Sequence, residues 1–435
     1  MKAEKKLKKV LLIAATLVLA VALSACGSKQ TTLTIFQNKV EIHDVLNEYA
    51  TAWGEENDVD VEVKTCGGDT CAYAEQILAE FQGDNAPDIF VIEGMGGYNV
   101  YQDKILDLTG EAWADITSLE FTVDGATYGF PVAIEGWGMA YNAEILEAAF
   151  ALEGQGRTID SLKEVSQAEY EEVFQAVQAL YASDPDTYGD YVVVSMASGP
   201  GMTWVTGLHN FNGYLSAGLD YTDNSVITDV NNGIVDADRF AQYANWVELL
   251  FNYADESILL TGTYDDQVGK FADGKAAFLH QGNWTDSSYA DSDFEMGYLP
   301  HAVLTEGNDS IFIGAPSFYV INKDSDNIEE AKQFLNDLAN TPEGHDYMVN
   351  KAHMVPAFDT VTLTPSTPLS KAVMEWNQEG KAYAWWQNDL PAGFGMDTLG
   401  PIYELFAKGV KGVDGGIDKT EFISQITSAI EALGN

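Results

Sequence analysis

Between residues 32 and 93 the hydropathy pattern switches repeatedly between strand and helix spacing, and that alternation restricts the fold more than any other feature of the chain. "TLTIF" (32–36) reads as a strand, and Val40 to Asn57 carries apolar residues at helical spacing. "VDVEVKT" (59–65) alternates as a strand, Ala72 to Gln82 is helical again, and "APDIFVIE" (86–93) is a buried strand entered through a proline. Strand, helix, strand, helix, strand predicts a parallel sheet with right-handed crossovers. In such sheets a ligand lies beyond the carboxyl ends of the strands, where this chain has Gln37, Asn38, Lys39 and Glu93.

A second region opens after "YGFPVAIEGWGMAYN" (128–142), with helices expected near 162–181 and 238–253 and a strand at "YVVVS" (191–195). "KAAFLHQGNW" (275–284) supplies a strand and its loop, "IFIGAPSFYVIN" (311–322) reads as one apolar strand, and 328–340 reads as a strongly amphipathic helix. The last third is mostly helical apart from "AYAWWQNDLPAGFGMD" (382–397), which Pro391, Gly393 and Gly395 make a loop. No Pro-, Ser- or Gln-rich linker and no internal repeat divides the chain, and its length favours two domains joined by several short crossings.

The N-terminus has to be set apart before charge is read. "MKAEKKLKKV" is basic, the 14 residues Val10 to Leu23 are apolar-rich but short for a membrane span, and Leu-Ser-Ala-Cys-Gly follows at 23–27. This resembles the bacterial lipoprotein signal, and the resemblance implies cleavage before Cys26, lipid on Cys26, and a mature chain held at the extracellular or periplasmic face of the cell membrane by that lipid alone. Losing 25 residues leaves 410, and losing five lysines and one glutamate takes the net charge from −45 to −49. So acidic a chain is no partner for nucleic acid, and it does not adsorb to anionic lipid. Its acidity reads as a solvated, self-repelling surface. Of the cysteines only Cys66 and Cys71 remain; in an oxidising compartment "CGGDTC" either closes as a disulfide or leaves two thiols, and a bridge is the expectation adopted.

Four motifs then stand in a recognisable order: "APDIFVIEGMGGY", "YGFPVAIEGWGMAYN", "FADGKAAFLHQGNW" and "IEEAKQFLNDLANTPEG". In order and spacing the chain resembles the family 1 extracellular solute-binding proteins, the maltose-binding-like receptors of ABC importers, over nearly all of its mature length. The resemblance implies an α/β, two-lobed periplasmic-binding-protein-like fold of type II, with three hinge crossings near 132–136, 311–317 and 355–360. It places lobe 1 at 32–133 and 316–357 and lobe 2 at 134–315 and 358–435, after a signal peptide (1–25) and a lipidated tether (26–31). It implies a monomer that captures an oligosaccharide and meets permease subunits, with no cofactor and no metal.

Site residues transfer where a position matches: Glu93 and Glu135 for the family's carboxylates, Asn38 and Lys39 after the first strand, Thr203 and Trp204 in the lobe-2 aromatic segment, and Trp284 in the turn Gln281-Gly282-Asn283-Trp284. The maltose receptors' acid-arginine pair is here Glu93-Gly94 and the cleft tryptophan before it is Val91, which argues against maltose itself.

The residues also suit a sugar on physical grounds. A pyranose has an apolar C–H face and a rim of hydroxyls, so it calls for flat rings flanked by amides and carboxylates. Trp284, Trp386, Phe394, Asn38, Glu93 and Asp397 supply that mixture, with Tyr383 expected to pack and Trp246, within "YANWVELLF", expected in a helix core. The chain lacks the nucleophile-elbow, zinc-helix, Walker and dinucleotide motifs, and its six histidines show no ligand spacing. Two other functions remain open at this point: a secreted glycoside hydrolase, whose paired carboxylates leave no local motif, and a polyamine receptor, which the acidic groups would also suit.

Overall fold

The computed structural model describes residues 31–67, 71–83, 85–289 and 292–434. The leader and Cys26 lie outside them. Five strands precede the first passage between two sheets: β1 (Thr31–Gln37), β2 (Val59–Thr65), β3 (Ile89–Glu93), β4 (Phe121–Val123) and β5 (Ala126–Pro131). Then come β6 (Glu135–Asn142), β7 (Val192–Ser195), β8 (Ala276–Gly282), β9 (Met296–Leu299), β10 (Ile311–Gly314), β11 (Ser317–Ile321) and β12 (Ala382–Tyr383). One sheet has the order β2-β1-β3-β11-β5-β4 and the other β12-β10-β6-β8-β7, with β9 also paired to β6. β1 is parallel to both β2 and β3, as the alternating pattern requires.

The chain therefore passes between sheets at 131–135, returns at 314–317, and crosses again after the helical segment that ends at Lys351. The first and last passages are tied to one another: Ile134 N donates to Val355 O at 2.8 Å. Helices pack on both sheets, which gives the two-lobed α/β architecture implied by the resemblance. The expected single strand at 311–322 is in fact two, β10 in one sheet and β11 in the other. The Ala315-Pro316 step explains this: proline lacks the N–H a continuous ladder needs, and the run changes sheet there.

Local chemistry sets the helix limits. The helix expected from Val40 begins at His43, because Val40–Ile42 form a 3₁₀ turn and Val40 stands half exposed. It stops at Asp58, which takes a left-handed conformation (φ 58°) that ends the hydrogen-bond ladder. Gln167–Ser183 starts at a capping box in which Ser166 and Glu169 satisfy one another's backbone N–H groups. Ile328–Asn340 buries Ala331, Phe334, Leu335, Leu338 and Ala339 on one stripe, each large side chain contributing about 1.5–3 kcal/mol by leaving water. Cys66 and Cys71 are joined as a disulfide with Cα atoms 5.2 Å apart.

Candidate functional site

The carboxyl ends of β1 and β3 deliver four polar groups to one edge of the first lobe. Asn38 Nδ2 donates to Glu93 Oε1 at 2.9 Å. The Lys39 ammonium pairs with Glu135, the first residue of β6 in the other lobe, and lies 4.0 Å from Glu41. Burial alone would lower the Lys39 pKa, but Glu135, Glu41 and Glu93 together hold it above its ordinary value, so Lys39 stays charged. Crowding by protein raises the Glu41 carboxyl, with Lys39 opposing, and it raises Glu93 against the pull of Lys39 and Asn38. Three carboxylates thus surround one ammonium.

Fixed backbone presents these side chains. Gln37 is fully buried; its Oε1 accepts from Lys39 N at 2.5 Å and its Nε2 donates to Lys39 O at 2.8 Å and to Thr65 Oγ1 at 2.5 Å. One side chain thus brackets the Lys39 peptide from both sides.

The second lobe answers with rings. Around His209 stand Trp284 at 4.9 Å, Trp204 at 5.2 Å, Trp385 at 5.6 Å and Trp137 at 5.7 Å between ring centroids. Burial holds the His209 imidazole well below its ordinary pKa, with His280 and Lys39 adding to the effect, so the ring is neutral at the centre of the cluster. Trp284 lies flat over Gly282: a Cβ there would sit 2.0 Å from the indole Cζ3, so only glycine admits the ring. Its N–H donates to Gln281 Oε1 at 3.1 Å, which fixes its rotation.

Where the lobes meet, Lys39, Glu41, Glu135, Asn283, Trp284, Asp286 and residues 351–354 enclose a cavity of about 50 Å³. That volume holds a few waters and no sugar ring. Asn283 and Asp286 brace the hinge side. Asn283 Oδ1 accepts from Gly136 N, and Asp286 accepts from the backbone N–H groups of Leu369 and Ser370 at the start of the helix Pro368–Gln378. A second contact between lobes leaves no room for a side chain. Gly94 has φ +52°, and a Cβ on it would fall 2.6 Å from the Asn388 Cβ.

The structure sorts the residues singled out from sequence into groups. Asn38 with Glu93, and Lys39 with Glu135, form one polar edge, while Trp204 and Trp284 share one ring cluster. Trp386 is half-buried in the 3₁₀ turn 386–389 with its indole N–H unpartnered, next to the lobe-1 helix Gly94–Tyr101. Phe394 is 5% exposed and packs in the lobe-2 core, so its ring offers a ligand almost no surface. Asp397 is exposed and its backbone caps a turn from Gly393. Tyr383 and Trp246 are buried. Trp385, weighed with Trp204 as a possible platform, is buried beside the same cluster; His209 and Glu41 were not among the candidates, and no local motif marks His209 in "VTGLHN". Among the described residues no group of three or more His, Cys, Asp or Glu could hold a metal ion, and no helix is long and apolar enough to cross a membrane.

Comparison with known proteins bears on the family and the fold. Residues 48–398 match the sequence profile of the family described as bacterial extracellular solute-binding protein. A maltodextrin-binding protein of Bacillus subtilis (strain 168) is 25% identical over 347 residues, 77% of each chain. A Bacillus subtilis binding protein solved in an open conformation superposes with a TM-score of 0.69 at 18% identity, over 94% of this chain and 98% of its own. A sugar transporter protein of Bacillus licheniformis in complex with stachyose gives 0.65 at 17%, over 93% and 100%.

Proposed function

Because this chain belongs to the bacterial extracellular solute-binding proteins, we propose that it captures a carbohydrate, an oligosaccharide, between its lobes and delivers it to the permease subunits of an ABC importer. The observation that carries this reading is the pairing of two unlike walls: hydrogen-bonding groups at the lobe-1 strand ends (Asn38, Lys39, Glu93) and indoles on lobe 2 (Trp204, Trp284), with Lys39 and Trp284 lining one cavity between the lobes. A sugar has both faces to offer. Each indole platform contributes about 1 kcal/mol beyond simple area burial, and the in-plane hydrogen bonds set register. The relatives that bind maltodextrin and stachyose support the same class of solute.

In this reading Glu135 receives Lys39 when the lobes close, and the Trp386 indole N–H, buried and unpartnered at the lobe boundary, gains a partner only with the solute. Closure follows solute because the closed form makes contacts the open form lacks. The mature chain begins at Cys26, whose lipid holds it at the membrane. Lobe 1 comprises 32–133 and 316–361, and lobe 2 comprises 134–315 and the chain from Pro368 onward; the boundary expected after 357 moves on because Phe358 and Val361 pack in the lobe-1 core, with Phe358 4.6 Å from Phe130.

Calorimetric titration of the mature domain with a panel of maltodextrins and raffinose-series sugars tests this. Roughly micromolar affinity for one series is expected, and no heat with any neutral oligosaccharide defeats the reading. The three carboxylates around Lys39 favour one second reading, a polyamine, whose binding would collapse in high salt where a neutral sugar's would persist.

A further inference from the structure

We propose that the Cys66–Cys71 bridge, with Gly67 and Tyr73, is a positioning device for the solute site that sets the spacing of Asn38 and Glu93. The inference rests on the reading that these two residues take the solute.

β1 and β3 pair only at Ile35↔Ile89 and Phe36↔Phe90, and beyond that point their ends separate. The separated ends carry Asn38 and Glu93, whose side chains still meet at 2.9 Å. Two supports from the 66–73 region hold the ends in place. On one side β2 runs one residue past its ladder: Cys66 N donates to Gln37 O at 2.9 Å. Gly67 then lies so close to the Asn38 peptide that a Cβ would be 1.9 Å from Asn38 O. On the other side Tyr73 sits in the gap between the strands. Its hydroxyl donates to Val91 O at 2.8 Å, accepts from Val91 N at 2.9 Å, and lies 3.4 Å from Phe36 O.

Val91 and Phe36 each stand two residues before a site residue. The disulfide joins the two supports, because Cys66 begins the first and Cys71 stands two residues before Tyr73. Cys66 is buried among Phe36, Phe90 and Ile77, so one end of the bridge is anchored in the lobe-1 core.

A role in overall stability is the weaker explanation. The gain from restricting the unfolded chain grows with the length of the closed loop, and a separation of five residues is near the small end. The geometry instead predicts a local consequence: without the bridge the Tyr73 support loosens, the ends of β1 and β3 drift, and hydrogen bonds sensitive to a fraction of an ångström are lost.

The test uses one protein in two states. A water-soluble trialkylphosphine and one water reduce the disulfide, which gains two electrons and two protons as two thiols while the phosphine becomes its oxide. Reduction is expected to weaken binding of the best oligosaccharide about tenfold and to shift the melting temperature little. Tyr73→Phe, which keeps the ring and removes the hydroxyl, is expected to weaken it several-fold with the bridge intact. Hydrogen exchange without any solute supplies a readout independent of the sugar reading: the amides of Lys39 and Val91, bonded to Gln37 and Tyr73, should exchange at least several-fold faster after reduction. Unchanged exchange at both amides overturns the proposal, as does unchanged affinity in the reduced protein. If no oligosaccharide binds the oxidised protein, the sugar reading fails while the exchange result still decides this one.

Discussion

The polar edge of lobe 1 and the ring cluster of lobe 2, which reach one cavity through Lys39 and Trp284, are built by different physics. The lobe-1 wall is made of strand ends whose positions are set by directional bonds: Gln37 brackets Lys39, Tyr73 spans Val91, and Asn38 meets Glu93. The lobe-2 wall is made of rings whose positions are set by packing, with four tryptophans around a neutral His209 and an indole laid on the bare backbone of Gly282. Directional bonds discriminate between hydroxyl arrangements, because a misplaced partner leaves a polar group unpaired. Stacked rings add affinity with little discrimination, because every pyranose has a C–H face. Specificity should therefore reside in lobe 1 and affinity in lobe 2.

The largest expected effect separates packing behind the wall from the wall itself. Trp246 is fully buried against Tyr170 and His301, and Trp246→Ala should cost about 3–5 kcal/mol of stability in denaturant titration. The fraction that remains folded should bind as the parent does. If affinity fell with stability unchanged, the ring wall would extend deeper than the cluster around His209.

Glu135→Ala comes next, because it strips Lys39 of its closest partner. The expected cost is about 2 kcal/mol, below that of breaking a fully buried pair, since Glu41 and Glu93 remain near the ammonium. A denaturation midpoint equal to the parent's would show that Lys39 is solvated and the lobe-1 wall looser than drawn.

The smallest effect concerns the contact beside the hinge. Burial pushes the Asp389 carboxyl up to about 6, against the backbone N–H of Met95, which pulls it down. A carboxyl near 4 in the unfolded chain and higher in the native protein lets the native state hold the extra proton, so this contribution is full below pH 4 and is lost as pH rises through 6. Asp389→Asn should flatten the fall in melting temperature between pH 4.5 and 7 and add on the order of 1 kcal/mol at neutral pH. Parallel profiles for parent and variant would place Asp389 in solvent.

Periodicity made much of the fold legible. The β1–β3 alternation and the helix 328–340 follow from residues near one another in sequence. The break within "IFIGAPSFYVIN" did not, because both halves are equally apolar and only the partner strands distinguish their sheets. The polar edge was legible because it lies at strand ends, where the topology places ligands. The ring wall was legible only in part. Trp204 and His209 share one segment, but Trp284 and Trp385 come from two others, and their convergence is tertiary. Phe394 shows the same limit from the other side, since aromatic residues in a glycine-rich loop can turn into the core as readily as toward a solute.

The central claim is that one solute touches both walls. Calorimetric titration of a single neutral oligosaccharide into the parent, Trp284→Ala and Glu93→Gln tests it most directly. The account predicts that each substitution weakens binding about tenfold, roughly 1.4 kcal/mol, with melting temperatures close to the parent's. If either variant binds the oligosaccharide with the parent's affinity, the solute does not lie between these walls.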